Sequence, residues 1–295
     1  MRWFRPPACG GVTPVTTPDT ERERAAGYRA AYDAQLRDRG FAPGTPGTER
    51  VGPVLRRTLP RQGGLILYRD LGGLDGEALD AFIAAQREYF AARGLPVEWK
   101  YHGHDLPADL PDRLAAAGFT PGERETVVIG EAADVAGPPG GPPLPEGVRL
   151  RDVTDRADFD RIGELAGTVW ADDRSWLAPA LEEMAAGRDG DACVVTVAES
   201  LAGEVVSAAW ARFHQGTDFA SLWGGSTLPN WRGKGVYRAL VAHRAALALA
   251  RGFRYVQVDA LETSRPILDR LGLVSAATTV PYVWQPESDG AVNRA

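Results

Sequence analysis

The chain has only two cysteines, Cys9 and Cys193, too few for a disulfide framework or a multi-cysteine metal site. That usage suits a reducing compartment, so the cytoplasm is the expected location. Lysine is nearly missing: of 33 basic residues only Lys100 and Lys234 are lysine. No stretch approaches the roughly 20 uninterrupted apolar residues of a membrane span, so no membrane partner is expected. A net charge of −6 argues against holding nucleic acid by bulk positive charge. Residues 1–20 lack the apolar region of a secretory signal and read as a flexible tail, as do 289–295. His102-x-His104-Asp105 has no second ligand pair and reads as a polar turn, so no metal is expected.

What the chain does have is 44% hydrophobic residues over 295 positions, enough for two cores. The stretch 132–147 interleaves Pro138, Pro139, Pro142, Pro143 and Pro145 with glycines and reads as a linker between units 21–131 and 148–288. The two sides resemble each other. Strand Val97–Tyr101, a helix with Asp112-Arg113-Leu114, Gly118 and strand Thr126–Ile129 recur as Tyr255–Val258, Asp269-Arg270-Leu271, Gly272 and Thr279–Trp284. The second unit reads as strand 148–152, helices near 156–170 and 176–186, strands 192–199, 203–214 and 218–228, and helix 235–252. That order is α/β or α+β: a mixed central sheet flanked by helices.

The informative segment runs from Leu222 through Gly233-Lys234-Gly235 into the last long helix. Gly233 and Gly235 let the backbone approach a ligand, and the helix's first N–H groups, aided by its dipole, suit an anion. Asn230 to Arg254 carries six basic residues and no acidic one, whereas the matching stretch of the first half, Asp70 to Arg93, carries five acidic residues against two arginines. Negative charge is welcome at the second helix start and repelled at the first. Gly233-Lys234 is followed by Gly235 where the nucleotide-triphosphate loop needs Ser or Thr.

Pro229-Asn-Trp-Arg232-Gly233-Lys234-Gly235-Val236 resembles the coenzyme A loop of the Gcn5-related N-acetyltransferases (GNAT), and Glu262-Thr-Ser264-Arg265-Pro266 onward is similar to that family's next helix. The resemblance spans about 148–288, and the first half is similar to a degenerate second copy, giving two GNAT-like domains. It implies acetyl-CoA as co-substrate and a small-molecule amine as acceptor. Backbone N–H groups from Gly233 through Val236 to Tyr237 would hold the pyrophosphate, Thr227 and Leu228 would pair with pantetheine, Arg232 and Lys234 would add charge, and Ser264 would sit beside the cofactor. Tyr237 stands where a small residue is usual, and Leu268 where many members have an acidic tyrosine. Asp259 and Glu262, at a strand's carboxyl end, are candidate bases acting through water. Trp170, Asp172, Asp173, Trp176 and Trp223 suit a cationic acceptor with an apolar body. A non-catalytic acyl-CoA-binding protein and a protein N-acetyltransferase are the alternatives.

Overall fold

The computed structural model describes residues 18–39, 47–59, 63–187 and 190–286. Helix α1 (Pro18–Gln35) comes first, with Asp19 and Glu21 in its first turn, where carboxylates complement the helix dipole. Its buried side chains, Tyr28 and Tyr32, lie one turn apart and seat it on the sheet beside Tyr255 and Phe219. The expected tail therefore ends inside this helix at Pro18–Thr20; residues 1–17 and 289–295 lie outside the described residues.

The first half continues with β1 (Thr48–Val51), β2 (Val54–Leu59), β3 (Gly63–Leu67), α2 (Gly76–Ala91), β4 (Val97–His102), α3 (Leu110–Ala116), β5 (Thr120–Pro121), β6 (Glu125–Glu131) and α4 (Ala132–Ala136). The second half holds β7 (Val148–Val153), α5 (Arg156–Trp170), α6 (Leu177–Ala185), β8 (Ala192–Ser200), β9 (Val205–Phe213), β10 (Phe219–Thr227), α7 (Val236–Ala250), β11 (Tyr255–Ala260), α8 (Arg265–Asp269) and β12 (Val274–Trp284). The expected strands and helices of the second half fall on these elements to within a few residues.

The linker expected over 132–147 does not begin at Ala132. Residues 132–136 form α4, whose Ala132, Val135 and Ala136 are buried with Val241, Ala245 and Ala248 of α7. Small apolar side chains at helical spacing override the proline-rich stretch that follows.

Eleven strands form one continuous path, β1-β2-β3-β4-β12-β6-β11-β10-β9-β8-β7, with β5 attached to β12. The last strand of each half thus lies against the other half. β6 pairs antiparallel with β11, Tyr255 opposite Glu131 and Ala260 opposite Thr126. β12 pairs with β4, Thr279 opposite His102 and Trp284 opposite Val97, and also with β6. Side chains alternate across the sheet. Val256 and Ala260 join the core with α4, α7 and α8, while Tyr255 turns to α1. Helices α5 and α6 cover Val195, Val197 and Ala208 on the face that α1 shares.

The expected polar turn at His102–Asp105 anchors α1. Asp105 accepts from Tyr68 Oη at 2.6 Å and pairs with the buried Arg37 at 2.5 Å, and His104 Nε2 meets Asp33 at 3.0 Å.

Candidate functional site

β10 and β11 are paired, in parallel, only over Phe219–Ser221 and Tyr255–Gln257. Beyond these three rungs β11 runs on to Ala260 against β6, while β10 stays with β9 as far as Thr227 opposite Ser207. The strands part and a wedge opens, lined along one side by the edge of β10. Inside it β10 carries a bulge between Gly224 and Ser226. Both glycines are required there. Gly224 has φ +75°, and a Cβ would come within 2.5 Å of the Trp210 ring; Gly225 has φ +93°, and a Cβ would come within 2.8 Å of the Tyr237 ring. The bulk of Tyr237, unexpected at the end of the loop, is accommodated because residue 225 has no side chain.

After β10 comes a 3-10 turn, Pro229–Trp231, and then Gly233 (φ +72°) and Gly235 (φ +87°), the latter capping α7 without a side-chain hydrogen bond. Among the described residues the N–H groups of Gly233 through Arg238 have no recorded acceptor, and the first inward bond is Ala239 N–H to Gly235 O at 3.0 Å. The positive end of α7 is thus open to an anion. Lys234 Nζ lies 5.0 Å from the Trp231 ring centre, and Arg232 Nε donates to Thr227 O at 3.1 Å. The corresponding start of α2 carries carboxylates instead: Gly76 N–H donates to Asp75, and just before the helix Gly72 N–H donates to Asp70.

Leu228, expected to pair with pantetheine, already has its N–H on Val206 O and its C=O on Trp231 N–H. Thr227 is buried with its hydroxyl on Ser207 at 2.8 Å. The free edge therefore lies upstream, within Leu222–Thr227. Ser264 bonds back to Leu261 O at 3.1 Å, at the start of α8. Val236 is buried under the helix start.

The two expected bases are both engaged. Asp259 pairs with the half-buried Lys100 and accepts from Gln257 Nε2 at 2.7 Å. Glu262 is exposed and pairs with Arg265 at 3.0 Å, which lowers its pKa. Leu268 is 0% exposed and packs beneath α7. Of the residues named for the acceptor, Trp170, Trp176 and Trp223 are exposed, and Trp170 Nε1 donates to Ser226 Oγ at 3.0 Å beside the bulge. The acidic pair is not free for a ligand. Asp172 grips Arg174 at 2.6 and 2.8 Å, Asp173 accepts from Ser175 N–H, and the Arg174 guanidinium lies 5.7 Å from Trp170 and 5.8 Å from Trp176. The cation these rings and carboxylates suit is supplied by the chain itself.

Two features went unread in the sequence. The first is a polar chain at the apex of the wedge. Arg39 holds Asp191 at 3.0 Å, Asp191 meets His214 Nδ1 at 2.7 Å, His214 Nε2 meets Ser221 Oγ at 2.7 Å, and Trp223 Nε1 donates to Ser221 Oγ at 2.6 Å. A carboxylate only accepts, so Nδ1 carries the proton and Nε2 accepts from Ser221. Burial lowers the His214 pKa, and Asp191 also sits below its ordinary value: burial alone would raise it, but His214, Arg39 and Arg212 outweigh that. The second is Arg244 on α7, 2% exposed. Its Nη1 donates to Trp223 O at 3.0 Å and Trp210 O at 3.2 Å, and its Nε to Leu240 O. Among the described residues it has no carboxylate partner, and burial pushes its pKa down to about 10. An arginine interrupting the apolar stripe Leu240, Val241, Ala245, Ala248 was the signal available in the sequence.

Among the described residues no group of three or more His, Cys, Asp or Glu is placed to hold a metal, and no helix is long and apolar enough to cross a membrane. Residues 158–272 match the family model described as Acetyltransferase (GNAT) family. The whole architecture is similar to that of a tandem GNAT protein from the clavulanic acid biosynthesis pathway, with TM-score 0.62 and 17% identity over 91% of this chain and 97% of that one. It is also similar to a GCN5-related N-acetyltransferase from Kribbella flavida, with TM-score 0.60 and 18% identity over 90% and 96%. A third, from Sphaerobacter thermophilus, gives TM-score 0.57 and 15% identity over 81% and 79%. At these identities the structures establish a GNAT-like fold, and the family match supports acyl transfer in general terms. No curated protein matches the chain.

Proposed function

We propose that this protein is an acyl-CoA-dependent N-acyltransferase, in its simplest form an acetyltransferase, that acts on a small-molecule amine. The observation that carries the reading is the wedge between β10 and β11 leading to the open start of α7. The donors fit the cofactor: consecutive backbone N–H groups from Gly233 to Arg238 and the charges of Arg232 and Lys234 suit a pyrophosphate, and the free edge of β10 suits the amides of a pantetheine arm. The first half would be a duplicated unit that has lost this capacity, with Asp70 and Asp75 setting negative charge where an anion would have to bind. The chain would work in the cytoplasm.

The residues then act chiefly by placement. The wedge holds the thioester carbonyl beside the bulge, and the acceptor amine approaches from the face bearing Trp223. The amine nitrogen, having lost a proton, bonds to the carbonyl carbon; the C–S bond breaks, its electron pair leaves on sulfur, and the surplus proton on the newly bonded nitrogen passes to solvent or to the thiolate. A thiol with a pKa of about 8–9 leaves tolerably as thiolate, so buried Leu268 does not bar the chemistry. His214, kept neutral by burial and aimed at the wedge apex through Ser221, is better placed as a base than Asp259 or Glu262.

Titrating acetyl-CoA calorimetrically into the wild type and Gly235→Asp tests the reading. Wild-type heat that disappears in the folded variant is expected; wild-type binding that Gly235→Asp leaves intact would remove this loop from the site. The buried Leu268 favours one second reading, a protein that binds acyl-CoA without turning it over. Release of free thiol in the presence of an amine panel separates the two.

A further inference from the structure

The wedge has a charged floor. Arg244 reaches up from α7 beneath β9 and β10, and its Nη1 bridges the carbonyls of the facing residues Trp210 and Trp223. The Trp223 carbonyl shares one peptide unit with the Gly224 N–H, and that unit is planar and trans, so the N–H points away from the guanidinium. Gly224 takes its left-handed conformation next to Gly225, the unpaired residue of the bulge. A cation bound to the carbonyl end of a peptide also polarises its N–H end. Tyr237, the group facing Arg244 from the start of the helix, is uncharged at neutral pH, its pKa raised by burial. Among the described residues Arg244 is therefore a buried positive charge compensated only by carbonyl dipoles.

We propose that Arg244 is the positioning residue of the acyl-transfer site: it fixes the Trp223–Gly224 peptide at the bulge and supplies the positive potential that stabilises negative charge as the thioester opens. This rests on the acyl-CoA reading above. In the step concerned the amine nitrogen, already deprotonated, forms a bond to the carbonyl carbon. The carbonyl electron pair moves to oxygen and returns as the C–S bond breaks, the charge ends on the departing thiolate, and the proton left on the now cationic nitrogen passes to solvent, giving the neutral amide. Arg244 exchanges no proton with the reactants and acts through the peptide it holds.

Coenzyme A and acetyl-CoA provide a test that needs no acceptor. Both carry the same phosphates and pantetheine, so the ratio of their affinities isolates the thiol. If the site favours thiolate, coenzyme A gains affinity relative to acetyl-CoA as pH rises toward the free thiol value. Calorimetry from about pH 7 to about pH 9, below the value at which Arg244 itself would lose its charge, is expected to show a gain of about fivefold in the wild type. Arg244→Gln keeps a donor without charge and loses that gain, as does Arg244→Met. A flat wild-type ratio, or a gain that survives in Arg244→Gln, overturns the proposal; acetyl-CoA binding by each variant shows that it is folded. Failure of the wild type to bind either ligand removes the acyl-CoA reading itself, a result distinct from a flat ratio between two bound ligands.

Discussion

Lys100 on β4 donates its ammonium proton to Asp259 on β11, joining a residue of the first half to one of the second with only 18% and 13% of the two side chains exposed. Burial works against the charge on Lys100, but Asp259, Tyr32 and Glu125 outweigh it and raise its pKa. Lys100→Met leaves the Asp259 carboxylate buried without its cation and is expected to cost about 3–5 kcal/mol in urea unfolding. Pairing it with Asp259→Leu should recover most of that loss, whereas equal instability of the single and double variants would show that the pair is not what matters.

Gly224→Ala tests the bulge. The added methyl meets the Trp210 ring at 2.5 Å on a backbone with φ +75°. A loss of about 2–4 kcal/mol is expected from overpacking and strain together. Trp210→Leu in the same chain should relieve the overpacking and leave the strain, so the double variant should melt above Gly224→Ala.

Acid sensitivity should set in near neutrality. His102 is buried against Tyr32, with Nε2 3.1 Å from the hydroxyl, and burial, then Arg37, Lys100 and His104, lower its pKa strongly. His214 is lowered too. A histidine kept neutral in the fold contributes stability that is complete above the unfolded value of about 6.5 and is lost as pH falls below it. Tm should decline from about pH 6.5 downward, and His102→Gln should flatten that decline. The depressed Asp191 and Asp152 add a second loss only below about pH 4.

The exposed indole of Trp223 should behave as a tethered group. Its Nε1–H bond to Ser221 is backed by His214 and Asp191. In ¹H–¹⁵N spectra this indole proton should exchange slowly, and Ser221→Ala should speed exchange by about tenfold or more by opening the bond to water. An unchanged rate in Ser221→Ala would mean that the indole is held by packing alone.

The second half was legible because each element carries a local signal: β7 alternates, β8 to β10 are short apolar runs bounded by turn residues, and α5 and α6 show the helical stripe. The loop at Gly233–Gly235 was legible for the same reason, its signal lying within a few residues. Helix α1 was not, since only Tyr28 and Tyr32 among its apolar residues are fully buried. The expected repeat falls on β4-α3-β6 and β11-α8-β12, yet no local pattern says that β12 slots between β4 and β6. Asp259 looked like a free base because the cation that occupies it comes from Lys100, distant in sequence. The chain from Arg39 through Asp191, His214 and Ser221 to Trp223 draws on four separate segments, and no spacing rule joins them.

The crossing of β6 and β12 between the halves fixes when the protein can finish folding as it is synthesised. β4 gains its neighbour only when residues 274–284 have left the ribosome, and until then the first half presents an open sheet edge. Nor is β6 idle in the meantime, for it is the partner against which β11 must later close. Closing the sheet across both halves therefore waits for β12, the last strand in chain order among the described residues.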